Sequence, residues 1–152
     1  MILLNTLKYL STQKAKDAHV LFEKGRYNGA VYLMGYALEM KLKRKLSLTL
    51  GFSNGFPESN GELNAYYSAQ LAAFNTISTG VTLAQIRQIR NHKLRELIKF
   101  SGAEPRIVGS FFAEWALVCN WDPETRYLRQ NWNLTRTTKF MNAAEVILKQ
   151  IS

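Results

Sequence analysis

The chain has 152 residues and a mass of 17.4 kDa, a size that suits one domain able to bury a core without covalent staples. Hydrophobic residues make up 47% and charged residues 20%, which excludes wholesale disorder, and the lone Cys119 excludes an internal disulfide or a multi-cysteine zinc site. Two histidines, His19 and His92, exclude a three-histidine zinc centre, and a net charge of +9 points toward polyanions or an acidic protein partner without deciding between them.

Apolar residues recur at helical spacing almost throughout, and no segment sustains the alternation expected of strands. The pattern predicts a first helix over much of Asn5 to Lys24, carried by Ala15, Ala18, Leu21 and Phe22 and stopped by Gly25. A second helix is expected from the Gly25-Arg26-Tyr27 turn to about Leu50, before Gly51. Its broad apolar face, with Val31, Met34, Leu38, Leu42 and Leu46 in one stripe, suits a central helix packed on several sides. Residues 51–82 read as an irregular insertion, rich in Gly, Ser and Asn, in which Glu62 to Phe74 has the spacing of a short helix.

A third helix falls between Leu83 and Phe100, starting either at Thr82 or afresh at Asn91, and ends at Ser101-Gly102. A fourth is expected from about Pro105 to Asp122-Pro123, with Val108, Phe111, Phe112, Trp115, Val118 and Cys119 on its inward face. The last spans about Thr135 to Ile151, with Phe140, Met141, Ala144, Ile147, Leu148 and Ile151 inward. The expectation is a single all-α domain over 1–152, an antiparallel bundle of four to five helices.

Thirteen of the twenty basic residues fall into three clusters: Lys41 to Lys45, Arg87 to Lys99, and Arg126 to Lys139. Met1–Leu7 is apolar but lacks a preceding positive charge, and Lys8 cuts the run short of a signal peptide. The longest uncharged stretch, Leu63 to Ile86, is too polar for a membrane span. These readings lead to the expectation of a soluble, cytoplasmic protein. No phosphate-binding glycine loop is present, and the acids are too scattered for a helical metal site, so neither cofactor nor metal is expected.

Three ordered patterns resemble the HEPN family, a small helical domain often encoded beside minimal nucleotidyltransferases. Gly25-Arg26-Tyr27-Asn28-Gly29-Ala30-Val31-Tyr32, leading into Gly35-Tyr36-Ala37-Leu38-Glu39, is similar to the family's turn and second helix. His92-Lys93-Leu94-Arg95-Glu96-Leu97 is similar to its His-x-Leu-x-x-Leu entry, and Trp121-Asp122-Pro123-Glu124-Thr125-Arg126-Tyr127 to its Trp…Arg-Tyr segment. The resemblance implies an antiparallel bundle, frequent homodimerisation, and roles in RNA cleavage, nucleotide binding or toxin–antitoxin partnership.

Many HEPN ribonucleases pair an arginine with a histidine across four to six residues at a late helix. Histidine can move protons near neutral pH, and arginine can stabilise charge on a phosphorane. Arg87 to His92 fits that spacing, but before the third helix, and no histidine follows Arg126. On one continuous helix Arg87 and His92 would stand about 140° apart, so a site within one chain needs a break near Asn91.

The candidate catalytic set is therefore His92 with Arg87 or Arg126. Tyr32, Tyr36, Glu39 and Lys43 share one side of the second helix. They form either a groove that orders a nucleotide or RNA, or an interhelix hydrogen-bond row in which Glu39 pairs Arg126. Arg126 and Tyr127 either clamp phosphate or lock the last loop to the bundle. The leading expectation is a non-catalytic module that binds a nucleotidyltransferase, a nucleotide or RNA, as a homodimer. The alternative is a metal-independent endoribonuclease.

Overall fold

A computed structural model describes residues 1–69, 83–127, 129 and 131–152, with the backbone alone at Ala69, Leu83, Arg126 and Tyr127. The described residues form eight α-helices: α1 (Leu4–Glu23), α2 (Tyr27–Thr49), α3 (Asn60–Ala69), α4 (Leu83–Arg87), α5 (Leu94–Ser101), α6 (Glu104–Ser110), α7 (Phe112–Val118) and α8 (Leu134–Gln150). Two 3-10 segments, Gln88–Arg90 and Pro123–Tyr127, join them. The chain is all-α, as its periodicity predicts, but cut into more helices than four or five.

The α1–α2 corner follows from one glycine. Gly25 takes φ +71°, and the amides of Gly25 and Arg26 return to the carbonyls of Phe22 and Leu21, which closes the helix with a Schellman turn. α2 then runs back along α1, and Ser11 Oγ bonds the Ala37 carbonyl 2.8 Å away to tie the two together. α2 packs against α1, α5, α8, the 3-10 turn Pro123–Tyr127 and the strand at Gly55–Phe56. Leu38, Leu42 and Leu46 have no solvent exposure, so cutting any of them to alanine costs about 2–5 kcal/mol.

Three expectations need correction. Ile2–Leu3 (β1) and Gly55–Phe56 (β2) form a short antiparallel pair, Ile2 against Phe56 and Leu3 against Gly55, so strand pairing is present where none was expected. The insertion is also less irregular than expected, because α3 starts at a capping box. Ser59 Oγ accepts from the Glu62 amide, while Glu62 reaches back to the amides of Glu58 and Ser59. The part of the short helix expected at 70–74, with Gln70 and Phe74 on its face, lies outside the described residues. Finally, the fourth helix is two helices. Phe111 leaves helical geometry (φ −130°, ψ 36°) after the poor helix formers Gly109 and Ser110, and Phe112 turns 65% exposed rather than inward.

Candidate functional site

Tyr32, Tyr36, Glu39 and Lys43 follow one another at spacings of four, three and four, so α2 carries them on a single side. The two tyrosine rings meet edge to face, 5.0 Å between centroids. One turn on, Glu39 is fully buried, and its Oε1 receives the Lys43 ammonium at 2.6 Å. The aliphatic stem and ammonium of Lys43 lie under cover as well, with the Phe56 ring 4.9 Å from Nζ.

His92 reaches the same carboxylate from another part of the chain. The 3-10 segment ends at Asn91, whose backbone is extended (φ −115°, ψ −178°), and α5 restarts at Leu94. Asn91 holds the bend through its side-chain oxygen, 2.8 Å from the Lys93 amide, although the N-cap position itself belongs to Lys93. In this bend His92 Nδ1 lies 2.9 Å from Glu39 Oε1. An ionised carboxylate only accepts, so Nδ1 carries the proton and Nε2 is the ring's second nitrogen. The imidazole is 52% exposed while the carboxylate holding it has no exposure at all. Glu39 Oε2 is buried and has no hydrogen-bond partner among the described residues.

Two residues outside the sequence-derived set shape this site. The indole of Trp121, itself buried, stands edge to face with Tyr36 at 5.1 Å, and His92 stacks its edge on the same tyrosine at 6.1 Å. Trp121 can lie there because residue 35 is glycine, since a Cβ at that position would fall 1.9 Å from its Cε2. The signal in the sequence was a glycine inside an otherwise apolar helix, which marks a close approach by another group.

The remaining candidates are distributed around this centre. Arg87 ends α4 with its side chain exposed, and no hydrogen bond joins it to His92 among the described residues. Arg90 bonds the Asn60 side chain. Arg126 and Tyr127 belong to the 3-10 turn that packs against α2, but their side chains lie outside the described set, as does any Glu39–Arg126 pairing. His19 is engaged elsewhere, 2.7 Å from Glu145 Oε1, and the thiol of buried Cys119 makes a local contact to the Ala116 carbonyl.

The assembled geometry is a half-exposed imidazole with a fixed tautomer, backed by a sealed carboxylate–ammonium pair and walled by Tyr36 and Trp121. Such an arrangement accepts at Nε2 while the ring is neutral, donates there once the ring is protonated, and offers aromatic edges beside it. Among the described residues no three His, Cys, Asp or Glu side chains converge as metal ligands, and no helix is long and apolar enough to cross a membrane. Neither a family model, nor a curated protein, nor a solved structure matches the chain.

Proposed function

We propose that the chain is a HEPN-like module that binds RNA or a nucleotide, with a phosphate received at the His92 edge of the α2 stripe. The observation that supports this reading is the half-exposed imidazole held by a wholly buried carboxylate. A histidine needed only for packing has no reason to keep half its ring in solvent. Exposed Arg87, Arg90 and Lys93 flank it in sequence and add attraction for a polyanion. Lys43, by contrast, is spent on Glu39 and serves the site by holding that carboxylate in place.

The test is binding of a single-stranded RNA oligomer and of a nucleoside triphosphate in EDTA, read by fluorescence anisotropy. His92→Ala is expected to weaken binding about tenfold or more, the value of a charge-assisted contact. Arg126→Ala is expected to lower affinity and flatten the salt dependence by about 0.7 for one single-strand phosphate contact. A folded His92→Ala protein that binds as tightly as the parent would remove the cleft from consideration.

One observation favours a second reading, the metal-independent endoribonuclease. The bend at Asn91 places Arg87 and His92 in separate segments, which lifts the 140° restriction of a continuous helix. In that reaction His92 Nε2 takes the proton of a ribose 2′-hydroxyl, and the oxygen bonds to phosphorus. The bond from phosphorus to the 5′-oxygen then breaks, and that oxygen takes a proton from water. RNA cleavage in EDTA that disappears in His92→Ala would establish it. The resemblance to HEPN domains further supports a homodimer and a nucleotidyltransferase partner of toxin–antitoxin type. Light scattering and co-purification with such a partner test these two proposals.

A further inference from the structure

Lys41 and Arg44 leave α2 about 160° and 140° around the helix from Glu39, so they face away from the His92 cleft. There they meet Lys8 on α1 in a separate cavity of about 280 Å³, completed by Ser11, Thr12 and the end of α8. Three cationic side chains line it and no acidic side chain does, while Ser152 brings the α-carboxylate to its edge. Glu145, whose charge acts on Lys41, also meets His19.

The donors in this cavity are only partly used. Lys41 Nζ gives one hydrogen bond to the Leu148 carbonyl, one of the last carbonyls of α8, and no second one among the described residues. Arg44 Nε is buried and has no hydrogen-bond partner among the described residues. A buried guanidinium N–H without an acceptor is costly, and native proteins nearly always supply one. Burial, and then the neighbouring Arg44 charge, push the Lys41 ammonium below the usual lysine range. An anion in the cavity would relieve the crowding of like charges around it. The two hydroxyls cannot act as donors to it, because Ser11 and Thr12 already give their protons to the Ala37 and Lys8 carbonyls.

We infer that the cavity between α1, α2 and the end of α8 binds a single phosphate group, held by Arg44, Lys41 and Lys8. Arg44 supplies directional donors to the phosphate oxygens, and the two lysines supply charge. This site does not depend on the RNA reading, since none of its residues touches the His92 cleft.

The test uses the full chain and inorganic phosphate, with chloride at matched ionic strength as control, read by calorimetry and by thermal unfolding. Saturable phosphate binding that depends on Arg44 and Lys8 is expected. Arg44→Gln is expected to weaken it about tenfold or more, and Lys8→Gln, at an exposed position, to weaken it without altering the helical circular dichroism. Ribose 5-phosphate binding more tightly than inorganic phosphate would assign the group to a larger phosphomonoester, and equal binding would assign it to the free ion. A phosphate effect that chloride reproduces, or that survives both Arg44→Gln and Lys8→Gln, overturns the proposal. So does a chain carrying a Gly-Ser tail after Ser152 that binds phosphate when the parent does not, because the acceptor would then be the α-carboxylate.

Discussion

Nδ1 of His92 and Oε1 of Glu39 meet at 2.9 Å across 53 residues of sequence, and the two ends of that contact live in different solvents. The carboxylate is sealed and the imidazole is half in water. Removing either partner therefore has unequal consequences. His92→Ala leaves Glu39 still bonded to Lys43 and is expected to change stability by about 1 kcal/mol or less, while binding falls. Chemical denaturation alongside RNA titration separates the two effects.

Glu39 and Lys43 behave as a unit. Lys43→Met strands a buried carboxylate and is expected to cost about 3–5 kcal/mol, as is Glu39→Leu, which strands the ammonium. The double variant Glu39→Leu/Lys43→Met removes both charges and should recover most of that loss. Urea midpoints of the four proteins measure the coupling. A double variant as unstable as the sum of the singles would show that the pair is not the interaction that matters.

Gly35→Ala places a methyl inside the volume of the Trp121 ring. The indole must leave its place against Tyr36, at a cost of about 1–3 kcal/mol for overpacking. Tryptophan fluorescence should shift to the red as the ring meets water. An unchanged spectrum together with an unchanged melting temperature would show that the ring is not seated on this glycine.

The start of α3 gives a pH dependence with a definite sign. The hydrogen bond from the Glu58 amide, followed by the Met1 ammonium, holds the Glu62 carboxyl below its ordinary value of 4.5. A carboxyl depressed in the folded state contributes stability that is present above 4.5 and fades as pH falls through the folded value. Glu62→Gln should thus be less stable than the parent at neutral pH, with the gap closing in acid. Ser59→Ala, which removes the other half of the capping box, should cost about 1 kcal/mol at every pH. Melting temperatures across the acid range check both.

The two long helices were legible because their ends carry explicit stops. Gly25 and Gly51 both adopt positive φ, and both close Schellman turns. The split at Phe111 was not legible, since Trp115, Val118 and Cys119 keep the helical period on the far side of the kink. Periodicity reports which face is inward and says little about whether the backbone is continuous. The α2 stripe could likewise be read from spacing. The role of Trp121 could not be read that way, because its place depends on an absent Cβ 86 positions earlier in the chain. The Lys41–Arg44 cavity was equally hidden, since the sequence shows a basic run and only the packing of α1 and α8 divides it into two faces.

The short β1–β2 pairing sets the dielectric environment of the Glu39–Lys43 pair. Gly55 takes φ +148°, and a Cβ there would fall 2.3 Å from the Ile2 carbonyl oxygen, so the pairing tolerates no side chain at that position. The next residue, Phe56, is the ring that lies against the Lys43 ammonium. Any substitution at Gly55 that unzips the strands therefore loosens the aromatic shutter over the ion pair and admits water to it. Attraction between the two charges then weakens severalfold as the local permittivity rises, and the leash on His92 slackens with it. An uncharged residue, which touches neither acid nor base, thus acts as the insulation of the site.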